Sequence, residues 1–192
     1  LKHGAIISGF DVQGRSLLTL AVQKGKGDLI RLLVSYGMTA NKPDVRGRLP
    51  LVVAATNRNA SAVQALIESG ADVSRLEAPD IRILLREVSD WADAPSSMVR
   101  ALMASGVKLE RVREGPTGYT PLHDAASRGA VGVIAAMLDG GADPGMRNRE
   151  GSTPLHIAAY NGHVAASELL LSRGPQLLNS IDHGGHTALY MA

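Results

Sequence analysis

A chain of 192 residues without a single cysteine has no disulfide or thiolate chemistry to draw on, and a reducing compartment suits it. Twenty Lys and Arg against 18 Asp and Glu leave a formal net charge of +2, far from the dense basic stripe with aromatic platforms that nucleic-acid binding calls for. Hydrophobic residues make up 45% of the chain and aromatics only 3%, so the core is built from Ala, Leu, Val and Ile, and the longest apolar run, Ala130 to Leu138, falls far short of a bilayer span of roughly 20 residues.

Glycines set a period. Gly4, Gly37 and Gly70 stand 33 residues apart, and Gly106, Gly141 and Gly174 follow at intervals of 36, 35 and 33. A recurrence near 33 denotes stacked units that bury their apolar faces against one another, in place of one globular core. Residues 1–8 read as the tail of a preceding repeat, because Gly4 is in register with Gly37.

The first full repeat, residues 11–41, turns through Gly14 to Thr19 and predicts helices over 17–23 and 27–35. Leu29, Ile30, Leu32 and Leu33 make the apolar stripe of the second, and Gly37 supplies its left-handed C-cap. In the repeat at 44–74, Pro50 stands at a first helical position, where its missing N–H costs nothing. Arg58-Asn59 forms its interhelix junction where residues 162 and 163 are Gly-His, so a strained or differently shaped turn is expected there. Asn59-Ala60-Ser61 is formally a glycosylation triplet, but a junction between helices is a poor acceptor. The repeat at 75–110 is degenerate and longer, with Ile81, Leu84, Leu85, Val88 and Trp91 on one helical face and Asp80 as N-cap. Its second helix carries Met98, Val99, Leu102 and Met103, its extra residues fall in a lengthened first helix or in the 89–95 connection, and residues 111–118 read as an extended loop. Repeats at 115–145 and 148–179 are regular: Thr120 and Thr153 cap, Pro121 and Pro154 begin the helix, and Leu122 and Leu155 enter the core. Residues 182–192 open a repeat without a second helix, so the chain is read as a piece of a longer array, 1–192 being one domain.

The stretch Thr153-Pro154-Leu155-His156-Ile157-Ala158-Ala159-Tyr160-Asn161-Gly162-His163, its copy Thr120-Pro121-Leu122-His123-Asp124-Ala125-Ala126, and the closing Gly70-Ala71-Asp72 and Gly141-Ala142-Asp143 resemble the ankyrin repeat family, with its T-P-L-H-x-A turn, helix pair and G-A-D close. The resemblance covers essentially the whole chain. It implies an all-α repeat solenoid of helix-turn-helix units joined by β-hairpin-like loops, about five full units with partial units at both ends. It also implies that His123 and His156 are structural, bonding the backbone of neighbouring loops.

Enzyme motifs are missing. Gly25-Lys26-Gly27 lacks the remainder of a phosphate loop, and neither H-E-x-x-H nor G-x-S-x-G occurs. His183 and His186 have no third ligand fixed near them, and Asp90 and Asp93 beside Trp91 read as a solvated helix end. No catalytic residue, cofactor or metal is therefore assigned. What the resemblance implies is a non-catalytic protein-protein interaction module that takes a protein or peptide on the concave face formed by hairpin tips and first helices. Mapped onto this chain, that face comprises Val12, Gln13, Arg15, Gln23 and Lys24, then Val45, Arg46, Arg48, Thr56 and Asn57, then Tyr119, Ser127 and Arg128, then Arg147, Arg149, Glu150, Ser152, Tyr160 and Asn161. Seven of these residues are basic and one is acidic, so an acidic or phosphorylated peptide is the partner such a face attracts. Charge is uneven along the chain: residues 1–74 carry nine Lys or Arg against five Asp or Glu, while residues 115–192 carry four against six. The alternative is a substrate-recruiting or autoinhibitory arm of an enzyme or microbial effector whose catalytic domain lies elsewhere. An intracellular setting, cytoplasmic or nuclear, fits both, and oligomeric state is left open.

Overall fold

The structure, a computed structural model, describes residues 11–44, 46–89, 96–104, 112–113 and 115–192. Helices come in pairs: α1 (Leu17–Gln23) with α2 (Gly27–Ser35), α3 (Pro50–Thr56) with α4 (Ala60–Glu68), and α5 (Ala78–Ser89) with α6 (Ser96–Ala104). Then come α7 (Pro121–Ser127) with α8 (Val131–Asp139), α9 (Pro154–Tyr160) with α10 (Val164–Arg173), and the short α11 (Ala188–Met191). Among the described residues the hairpin-like loops form isolated contacts in place of strands, such as the antiparallel bridge between Ile181 and Thr187.

Local chemistry starts each first helix. The Ser16 hydroxyl accepts the Thr19 N–H at 3.1 Å ahead of α1, and Pro50 opens α3. At α7 and α9 the caps are reciprocal: the threonine side chain takes the N–H of the histidine three residues on, and the histidine ring takes the threonine N–H. Two of the four N–H groups that a helix start leaves open are thereby satisfied.

Contacts divide the chain into two compact bodies, one reaching to Arg75 and the other beginning at Leu76. In the first, α1 packs on α3 and α2 on α4. In the second, α5, α7, α9 and α11 pack in succession, as do α6, α8 and α10. Within each body first helices stack on first helices and second on second, so that stacked repeats cover one another's apolar faces. Leu18, Val22, Ile30, Val63 and Leu66 fill the first core; Leu84, Met98, Leu102, Ile134, Met137, Leu155 and Leu170 fill the second.

Particular expectations shift. In α2 only Ile30 and Leu33 of the four-residue stripe are buried, while Leu29 and Leu32 are exposed, since the helix rests on α4 along a single edge. Helix α5 begins at Ala78, which places Asp80 in its first turn instead of at the cap. Gly37, Gly70 and Gly141 close their helices with φ of 95°, 82° and 89°, whereas Gly174 has φ −150° because the chain passes straight into a 3-10 turn at Pro175–Asn179. Arg58 takes φ 55°, a left-handed conformation at a non-glycine residue, which is the strain expected of that junction. The readings made for residues 1–8, Gly106, the Asp90/Asp93 pair, Trp91 and the Val88 side chain lie outside what is described.

Candidate interaction surface

Four of the hairpins are tied by one recurring device. Asp11 Oδ1 accepts the backbone N–H groups of Gln13 and Arg15 at 2.9 and 2.8 Å, while Oδ2 takes Nε and Nη2 of Arg15, each at 2.7 Å. Thirty-three residues later Asp44 repeats it, Oδ1 accepting from Arg46 and Arg48 N–H at 2.8 and 2.9 Å and Oδ2 from Arg48 Nε and Nη2 at 3.0 and 2.9 Å. Asp182 holds Gly184 and His186 in the same way. Asn148 substitutes at a further hairpin, its Oδ1 taking Glu150 and Ser152 N–H at 2.9 Å each, and its Nδ2 is buried without a partner among the described residues. These bonds hold the Asp11 and Asp182 carboxyls below the usual carboxylate range, the N–H of the residue four positions on contributing most in each. At Asp44 burial pushes the other way, and the Arg48 and Arg46 bonds outweigh it.

A second set of contacts ties repeat to repeat. His123 Nε2 donates to the Ser152 carbonyl at 3.0 Å and His156 Nε2 to the His186 carbonyl at 3.1 Å, each clamping the next hairpin. With the Thr120 N–H and hydroxyl at Nδ1 (3.3 and 2.8 Å), His123 is the neutral, Nε2-protonated tautomer. Burial, opposed by the Ser152 bond and aided by the positive charge of Arg113, pushes its pKa down to about 4. This is the structural role the repeat implies for both histidines. His163 reaches back to the Ser127 carbonyl at 3.0 Å, and at the glycine-free junction Asn59 Nδ2 does the same work on the Val22 and Gln23 carbonyls at 3.1 and 3.0 Å.

The arginines of the second body are spent similarly. Arg147 Nη1 donates to the Gly151 and Ile181 carbonyls, both at 2.6 Å. Arg149 Nη1 donates to the Pro116 carbonyl at 2.9 Å, and its backbone N–H to Thr117 at 2.8 Å. Arg128 pairs with Asp124 at 3.2 Å.

Of the residues mapped to the binding face, Val12, Gln13, Lys24, Arg46, Thr56, Asn57, Arg147, Arg149, Glu150, Tyr160 and Asn161 are exposed, with Tyr160 at 73%. Arg15, Gln23, Arg48, Tyr119, Ser127 and Arg128 are half-buried, Tyr119 with its ring stacked 5.5 Å from His123. Ser152 is buried, its carbonyl taken by His123. Val45 is outside the described residues. In the first body Gln13, Arg15, Gln23, Asp44, Arg46 and Arg48 come together around an open depression of about 350 Å³. The Asp-to-Arg locks were missed in reading the sequence, although their signal is there: the same pair at the same spacing of four, one repeat apart.

Known proteins carry the same repeat. Residues 3–76 match the family described as ankyrin repeats in three copies, and residues 122–171 match ankyrin repeats in many copies. The Nuclear factor NF-kappa-B p105 subunit of Gallus gallus is 29% identical over 153 residues, 78% of this chain and 15% of that protein. Palmitoyltransferase Hip14 of Drosophila melanogaster is 34% identical over 103 residues, 52% of this chain and 15% of that protein. Among solved structures, the ankyrin repeat domain of Bcl-3, a member of the IkappaB protein family, shares the fold at a TM-score of 0.66 and 20% identity, covering 97% of this chain and 81% of that one. The chain spans about a quarter or less of the length of the curated relatives it matches. Among the described residues, no helix is long and apolar enough to cross a membrane.

Proposed function

The chain belongs to the ankyrin repeat family, and we propose on that premise that it is a non-catalytic module that binds a protein or peptide through hairpin tips and first helices. One observation carries the reading. Side chains that recur from repeat to repeat are consumed inward, Leu122 and Leu155 in the core and His123 and His156 on backbone carbonyls, while Arg46, Glu150 and Tyr160, which do not recur, face solvent. A repeat fold leaves its binding specificity to just such residues. In the first body the face is cationic and suits an acidic segment. In the second, Tyr160 supplies the kind of large exposed aromatic that anchors protein interfaces.

The test is quantitative capture of partners by the intact parent protein, compared with its Arg46→Glu and Tyr160→Ala variants. Neither side chain supports the fold, so melting temperatures should stay unchanged while at least one partner is lost. An identical partner set for all three proteins would overturn the reading. Arg48 is unsuitable for this test, because reversing its charge would also break the Asp44 lock.

A second reading has its own support in the partial match to a palmitoyltransferase: the module recruits substrate to a catalytic domain outside these residues. It predicts that a captured partner is chemically modified by the parent protein and that modification falls with binding in the Arg46→Glu variant. The match to a protein named a nuclear factor favours a cytoplasmic or nuclear setting for either reading.

A further inference from the structure

We propose that the depression in the first body is an oxyanion site whose occupant is a phosphorylated serine or threonine side chain on a partner segment. The proposal rests on the interaction reading above and narrows it to one chemistry.

Three arginines line it, their guanidinium groups in two distinct states. Arg15 and Arg48 each place Nε and Nη2 on a single carboxylate oxygen, Oδ2 of Asp11 and of Asp44. Their Nη1 groups make no hydrogen bond among the described residues, so each presents two N–H donors from a side chain already held still. Holding them in advance removes rotamer entropy that binding would otherwise cost. Arg46 differs, for its backbone N–H is fixed by Asp44 Oδ1 at 2.8 Å while its guanidinium has no partner among the described residues. All five of its N–H donors are open. Gln13 and Gln23 add uncharged amides to the rim.

The carboxylate in the lining, Asp44, does not contest the site as an open acceptor. Both its oxygens are occupied, Oδ1 by two backbone N–H groups and Oδ2 by Arg48. With Asp11 and Asp44 each matched to an arginine, the uncompensated positive charge resides on Arg46. A carboxylate ligand has two coplanar oxygens, and one guanidinium fork satisfies both. A phosphomonoester brings three terminal oxygens and a charge of about −1.5 to −2, which uses donors from all three arginines and from two successive hairpins. Arginine is also the side chain suited to phosphate geometry.

The experiment uses ¹⁵N-labelled chain, follows the Arg46 Nε–H and the backbone amides of Gln13, Gln23 and Arg46, and adds three blocked peptides: Gly-Gly-phosphoserine-Gly-Gly, the same with glutamate, and the same with serine. The phosphopeptide should produce saturable shifts at those groups, the glutamate peptide should bind at least about tenfold more weakly, and the serine peptide should do nothing up to about 10 mM. Arg46→Gln should abolish the response without altering the melting temperature, and Lys24→Gln, outside the lining, should leave it intact. Equal response to glutamate, a response that survives Arg46→Gln, or silence with the phosphopeptide overturns the proposal. So does sedimentation of the chain with phosphoinositide vesicles that Arg46→Gln abolishes, since that assigns the site to a lipid. A silent phosphopeptide beside a partner lost in Arg46→Glu removes the phosphate site alone. An unchanged partner set removes the interaction reading.

Discussion

Acid should unlock the second body through His123. The ring has no exposed surface, and both nitrogens are committed: Nδ1 faces the Thr120 N–H, and Nε2 donates to the Ser152 carbonyl. A proton can enter only at Nδ1, where it would oppose an N–H that already points there. Folded, the pKa is pushed down from 6.5 to about 4. The neutral ring is thus what folding favours: its contribution is full above pH 6.5 and is lost as pH falls from there through about 4. At 1.36 kcal/mol per unit, the 1.5 units between 6.5 and pH 5 correspond to about 2 kcal/mol, an order-of-magnitude figure. Two measurements check it. Urea unfolding at pH 7.5 and pH 5 should show a loss that is about 2 kcal/mol smaller in His123→Gln than in the unsubstituted chain, every other titrating group being common to both. Ring C–H resonances of His123, followed by NMR, should stay at their neutral positions down to pH 5. A titration midpoint near 6.5 would refute the clamp geometry itself.

Leu155→Ala truncates a side chain that is 2% exposed and should cost about 2–5 kcal/mol in thermal or urea unfolding; a negligible loss would mean α9 is not packed on α7. Asp44→Ala strands the Arg46 and Arg48 N–H groups and frees Arg48, for about 1–2 kcal/mol in the same assay. Asp44→Asn should recover most of that, because Asn148 makes the equivalent two backbone bonds without an arginine. Arg58→Gly should raise stability by about 0.5 kcal/mol, relief of the left-handed strain of 1–2 kcal/mol less glycine's own chain entropy. A clear loss on that change would show that the Arg58 side chain stabilises the junction more than its backbone strains it.

How far the fold could be read depended on whether a signal was local. Helices 17–23 and 27–35 are bounded by turn residues within the same repeat, and the structure places α1 and α2 on those residues. Reciprocal capping by Thr120 and His123 is likewise written in four consecutive positions. The buried edge of α2 is not local. Leu29 and Leu32 have the same three-residue spacing as Ile30 and Leu33, displaced by one residue or 100° of rotation, and only the position of α4 decides which pair is covered. Gly174 keeps the period of the closing glycines without their conformation, because proline at 175 and the 3-10 turn after it redirect the chain.

The surface shows the same division more sharply, since a basic residue in a sequence states a charge but not its availability. Of seven basic positions mapped to the face, Arg15 and Arg48 are held by an aspartate four residues earlier and Arg128 by Asp124. Arg147 and Arg149 donate to carbonyls 34 and 33 residues away, a pairing that stacking creates. Four of these five tie hairpins and Arg128 is held along its own helix, and a guanidinium held in this way binds a ligand only through whatever donors its structural partner leaves over. Lys24 and Arg46 remain, their charged ends without a partner among the described residues. On the phosphate-site proposal, recognition of an anion in the first body would turn on Arg46, which lines the depression, with the locked arginines beside it as secondary donors. It follows that losing Arg46 should affect binding and not folding, whereas losing Arg48 should affect both.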